Sequence, residues 1–168
     1  MLDAIKNRRS IRFMTGEKIE EEIIDDIIRA GFQAPSGHNN KGWHVFWTND
    51  SSKLTDVSQM HKWARFAAKA GAVVCVAYDT SELADFWVED SSAFMENMLI
   101  QATEYGLGSC WIGVRGIEID GVKVEDRVRE IFGIDPKLKI LSLCIIGHTA
   151  KKFNFTKELN LAERIHRV

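Results

Sequence analysis

Residues 72–78 (AVVCVAY) and 140–146 (ILSLCII) are apolar almost without interruption. A strand wetted on one face alternates apolar and polar residues, so unbroken runs of this length belong to strands covered on both faces. The material that covers them is legible nearby. Isoleucines at 19, 23, 24, 27 and 28 give helical spacing over residues 20–34. The opposite face carries Glu20, Glu21, Glu22, Asp25 and Asp26, solvated carboxylates near the positive end of the helix dipole. Residues 90–105 trace a buried stripe of Ala93, Phe94, Met98, Leu99 and Ala102, closed by Gly106 as a C-cap. Further helices are expected at 54–69 and 122–132, a short one before Arg8, and further strands at 43–48 (WHVFWT) and 109–114 (SCWIGV). Helices alternating with buried strands leave α/β and α+β open, in either case a sheet with helices on both faces.

Composition narrows the class. With 45% hydrophobic and 27% charged residues, the chain reads as one globular domain, 1–168, large enough to bury about 70% of its unfolded surface. A net charge of −2 argues against general nucleic-acid binding, because duplex-binding domains run basic. No apolar run reaches membrane-spanning length, and the N-terminus lacks the apolar core of a signal peptide. Cys75, Cys110 and Cys144 form an odd, widely spaced set without a C-x-x-C pair. They read as reduced thiols packed in strands of a cytoplasmic protein. Residues 150–168 form a polar tail with a short helical pattern near its end, expected to dock on a partner subunit.

The chemistry-bearing residues cluster early. Arg8-Arg9-Ser10-Ile11-Arg12 puts three guanidinium groups and a hydroxyl within five residues, donors whose forks match phosphate oxygens. Taken alone, the cluster is as readily a solvated basic arm. Residues 34–42 (APSGHNNKG) are a loop rich in turn formers. Gly106-Leu107-Gly108 fails as a dinucleotide fingerprint: Trp111 stands where the third glycine belongs, and the glycines lead from a helix into a strand rather than the reverse. The C-cap role accounts for Gly106 and leaves Gly108 and Gly113 unexplained. His38 and His44 lie six apart and the other histidines are isolated, so no metal signature forms. Cys110 and Ser36 have no base or orienting partner that sequence can name; a buried structural thiol is the expected fate of Cys110.

In combination these pieces resemble a known family. Arg8-Arg9-Ser10-Ile11-Arg12, then Pro35-Ser36-Gly37-His38-Asn39 running into Trp43-His44, then Gly106-Leu107-Gly108-Ser109-Cys110-Trp111-Ile112-Gly113, then Ile145-Ile146-Gly147-His148, occur in an order similar to that of the nitroreductase-like FMN-dependent oxidoreductases. The resemblance runs from about Ile5 to His166 and implies an α+β sandwich with a central, mainly antiparallel sheet and helices on both faces. It also implies an intertwined homodimer with FMN at the interface. Arg8 and Ser10 would hold the FMN phosphate with Arg9 as a helper, and Arg12 would reach the ribityl chain and ring. Pro35, Ser36 and Asn39 would contact the flavin of the partner subunit. The backbone of Trp111, Ile112 and Gly113 would pass beside the pyrimidine edge. Lys157 is the nearest tail residue to complete the phosphate site.

Two departures stand out. Lys41 and Gly42 replace the amide and proline that usually follow the loop asparagine, making the loop more positive and freer. The chain is also short, with little room for helices covering a substrate. The resulting expectation is an NAD(P)H oxidoreductase acting on small electron-poor acceptors such as nitroaromatics or quinones. No acid–base dyad is needed, because the flavin carries the chemistry. A flavin oxidase or dehalogenase on the same scaffold, a non-catalytic flavin-binding or sensing module, and a basic-arm interaction protein are the alternatives.

Overall fold

The computed structural model describes residues 1–81, 84–150, 161 and 163–168. In chain order the elements are α1 (Asp3–Asn7), α2 (Glu21–Gly31), β1 (Trp43–Thr48), α3 (Ser51–Gln59), β2 (Ala72–Asp79), α4 (Trp87–Glu104), β3 (Gly108–Gly113), β4 (Glu118–Ile119), β5 (Val122–Lys123), α5 (Val124–Phe132) and β6 (Leu138–Gly147). Four of the strands form one sheet in the order β1–β2–β6–β3, and every neighbouring pair is antiparallel. That decides between the two open architectures in favour of α+β.

The pleat explains the unbroken apolar runs. Val73, Cys75 and Ala77 join Leu143, Ile145, Cys110 and Ile112 in a core closed by Leu54 and Val57 of α3 and Val124 and Val128 of α5. Their alternates Val74, Val76 and Tyr78 join Cys144 and Ile146 in a second core, closed by Ile24 and Ile27 of α2 and Phe94, Met95 and Met98 of α4. Each strand thus feeds two cores at period two, and no position is left for a polar residue to reach water. Residues 72–78 are completely buried; at about 1.5–3 kcal/mol per large apolar side chain, these central strands anchor the molecule. All three cysteines are free and buried within strands.

Two expected helices differ. The 54–69 helix stops at Gln59 and resumes only as a 3-10 turn at Arg65–Lys69. Asp50 starts it early by accepting the N–H groups of Ser52 (2.9 Å) and Lys53 (3.1 Å). His61 Nδ1 then accepts the Trp63 N–H at 3.1 Å, a local bond that competes with the helical ladder. The 122–132 helix loses its first two residues to a hairpin: Asp120 and Gly121, both at positive φ (54° and 76°), form the two-residue turn that joins β4 to β5. Elsewhere the bounds shift by a few residues. The helix expected over 20–34 ends at Gly31, and α4 begins at Trp87, three residues before the expected start.

Candidate functional site

The N-terminal motif lies against the outer edge of β3. Ser10 forms a parallel bridge with Ser109, and the Ile11 N–H donates to the Ser109 carbonyl at 2.8 Å. Ile11 is buried, and it presses on Gly108 so closely that a Cβ there would lie 2.8 Å from Ile11 Cγ2. Gly108 is therefore a close-approach glycine, while Gly106 (φ 70°) is the left-handed residue just past α4. In extended backbone, burying Ile11 turns Ser10 and Arg12 the other way, and both are exposed. Arg8 reaches α4, where its Nε meets Glu96 Oε1 at 3.1 Å. Arg9 is turned back onto α1, its Nη1 donating to the carbonyls of Lys6 and Arg8 at 2.8 Å each.

Arg8, Ser10 and Arg12 all act electrostatically on Cys110. Burial pushes the Cys110 thiol up, and the opposing influences are the charge of Arg12, a hydrogen bond from Ser10 and the charge of Arg8. The thiol itself is 1% exposed, a structural residue in electropositive company. Along β3, Ile112 points into the α3–α5 core and half-buried Trp111 packs on the α2–α4 side. What the strand offers a ligand is its backbone. β6 occupies one edge, and among the described residues the Ser10–Ser109 bridge is the one pairing on the other.

The loop leads from α2 into β1 and is held against α4. Pro35 is exposed, Ser36 Oγ accepts the Lys41 N–H at 3.0 Å, and Gly37–Asn39 form a 3-10 turn. His38, Asn39 and Lys41 hold positive φ angles of 54°, 57° and 54°, which for non-glycine residues cost about 1–3 kcal/mol each and need external support. Asp90 supplies it. Its Oδ1 accepts the Gly37 N–H at 2.8 Å and its Oδ2 accepts the hydroxyl of fully buried Tyr78 at 2.6 Å. Burial and the Asp90 carboxylate push Tyr78 up to about 12.

The loop and the motif are tied to the same helix, the loop at Asp90 and Arg8 at Glu96, six residues and about 9 Å further along α4. Lys157 lies outside the described residues. Sequence reasoning missed Asp90 and Glu96. Asp90 had a signal, since it continues the buried stripe of residues 94, 98 and 102 at a spacing of four and a buried carboxylate must be paired. Glu96 had none, because it lies on the exposed side of α4.

These residues fit FMN. Ser10 and Arg12 offer exposed donors for a phosphate dianion, and Arg8 pairs with Glu96 through Nε. Paired among the described residues only at the Ser10–Ser109 bridge, the outer β3 edge presents backbone to a flat ring, and Ser109 Oγ at its start is a buried hydroxyl with no hydrogen-bond partner among those residues. Among the described residues, no three His, Cys, Asp or Glu side chains are grouped to hold a metal, and no helix is long and apolar enough to cross a membrane.

Comparison with known proteins gives a consistent picture. The model of the Nitroreductase family matches residues 5–69 and 53–148 in two overlapping stretches. A protein of Methanothermobacter thermautotrophicus, provisionally named NADH dehydrogenase/NAD(P)H nitroreductase, is 32% identical over 99% of this chain and 85% of its own. A chromium(VI) reductase of a Pseudomonas species is 25% identical over 98% of this chain and 72% of its own. Among solved structures, an FMN-dependent nitroreductase of Clostridium difficile superposes with a TM-score of 0.91 at 28% identity, covering 99% of this chain and 98% of that one.

Proposed function

The chain belongs to the Nitroreductase family, and we propose that it works as an FMN-dependent oxidoreductase passing reducing equivalents from NAD(P)H to small electron-poor acceptors such as nitroaromatics or quinones. The observation that carries the reading is the seating of Arg8-Arg9-Ser10-Ile11-Arg12 on the open edge of β3. Bound FMN supplies the two-electron chemistry; the protein supplies grip, orientation and charge. In this reading Arg8 and Ser10 hold the phosphate, with Glu96 aiming the Arg8 fork. Arg12 sets positive charge toward the ribityl chain and ring, where it favours added electrons. The backbone of Trp111, Ile112 and Gly113 lines the pyrimidine edge. Arg9, folded back on α1, acts by fixing the end of that helix rather than as a direct phosphate ligand.

The protein acts as a homodimer in this reading. The loop carrying Pro35, Ser36 and Asn39, exposed at Pro35 and Asn39 and held in shape by Asp90, is in this reading offered to the site of the second copy. Exposed Leu2 (70%) and Phe13 (56%) flank the motif and support an interface there. Lys157, in the tail, is the candidate to complete the phosphate site. Three free, buried thiols are in keeping with a reducing cytoplasm.

The test is an anaerobic titration of the purified protein. Flavin absorbance bands that bleach with NADH or NADPH and return on adding a nitroaromatic or quinone are expected. Bands inert to both nicotinamides would identify a binding module, and no bands after FMN supplementation would remove the reading altogether.

A further inference from the structure

A cavity of about 380 Å³ lies outside the site described so far, between the end of α3 and the β4–β5 hairpin. Its charged lining is unbalanced: Lys62, Arg65 and Arg127 against Asp120, with His61 beside them. Arg127 is anchored, its Nη1 donating to the Met60 carbonyl at 3.1 Å. With Lys62 and Arg65 exposed at its rim, the cavity carries a net positive charge that favours an anion.

His61 connects this cavity to β3. It is 6% exposed, and because its Nδ1 accepts the Trp63 N–H, the neutral ring keeps its proton on Nε2. Nε2 is buried without a completed hydrogen bond, and the backbone acting on it is that of Gly113, the last residue of β3. The strand then serves as a ruler. Ser10 bridges Ser109, and the backbone that acts on His61 is that of Gly113, about 13 Å further along the strand. A flavin whose phosphate is held at the first end carries its ring toward the second.

We propose that the cavity binds the phosphate-bearing half of NAD(P)H, with Lys62, Arg65 and Arg127 pairing its phosphate oxygens. The inference rests on the oxidoreductase reading above and deepens it. Trp63 adds a second feature of a nucleotide site: its indole is 65% exposed, with the Lys62 ammonium 4.7 Å from the ring centre, a flat aromatic surface on which an adenine stacks.

The test uses Lys62→Ala/Arg65→Ala, both exposed positions whose loss leaves the cores untouched. ADP-ribose, which carries the pyrophosphate but no nicotinamide, is titrated calorimetrically into the FMN-loaded wild type and variant. Binding to the wild type, weakened about tenfold or more in the variant, is expected. The KM for NADH and NADPH rises in parallel, while that for 1-benzyl-1,4-dihydronicotinamide, a phosphate-free hydride donor, does not. Equal ADP-ribose affinity in the two proteins, or an equal rise in KM for the phosphate-free donor, overturns the proposal. A wild type that is yellow and bleached by the phosphate-free donor, yet binds no ADP-ribose, overturns it while leaving the oxidoreductase reading intact. A wild type that takes up no flavin overturns both.

Discussion

Asp90 and Tyr78 show how one buried pair can set the shape of a surface loop. The carboxylate is 5% exposed and the phenol fully buried, and between them they satisfy each other and the Gly37 N–H. Asp90→Ala strands both donors, and at about 1–3 kcal/mol per orphaned group it should cost about 2–6 kcal/mol in urea unfolding. Asp90→Asn, which retains an acceptor oxygen, should lose less than half of that. His61 makes a separate prediction. Burial lowers its folded pKa below the unfolded value of 6.5, so as pH falls below about 6.5 the unfolded state takes up its proton first. Stability should therefore decline as pH falls below 6.5, and His61→Gln should flatten the part of that slope this residue causes, read as the urea midpoint against pH.

At the scale of elements, the contact between the N-terminal segment and β3 depends on one missing side chain. Gly108→Ala places a methyl 2.8 Å from Ile11 Cγ2 and 3.0 Å from its Cβ, in a site with no slack. The expected result is a loss of about 1–3 kcal/mol and faster hydrogen exchange at the Ile11 amide, with the β2–β6 amides unchanged. This contact also marks the limit of what could be read from sequence. The strands were legible because burial on both faces removes every polar residue from them, and α2 because its isoleucines fall on one stripe. The break after Gln59 was not, since a histidine nitrogen capturing an amide two residues on leaves no periodic trace. The Asp120-Gly121 turn did leave one, an Asp-Gly pair, but the helical pattern that follows it obscured the hairpin. Arg8, Ser10 and Arg12 were legible as anion-binding chemistry; their seat on β3 was not, because nothing local to either segment encodes a pairing so distant in the chain.

At the scale of the whole molecule, the homodimer reading assigns the arginine motif and the Pro35–Asn39 loop of one site to different chains, which makes it testable by complementation. Arg8→Ala chains and Asn39→Ala chains each build two defective sites. Mixed and allowed to exchange, they form heterodimers in which one site carries both defects and the other carries neither. With random pairing the mixture should recover up to about a quarter of wild-type turnover. No recovery despite proven exchange would place both residues at the same chain's site. The central claim, that the opening arginines grip a phosphate attached to a ring lying along β3, is tested most directly by comparing affinities for FMN and for riboflavin, which lacks the phosphate. The wild type should prefer FMN strongly, and Arg8→Ala should weaken FMN binding about tenfold to a hundredfold while leaving riboflavin binding unchanged. Equal losses for the two ligands, or no loss for either, would contradict it.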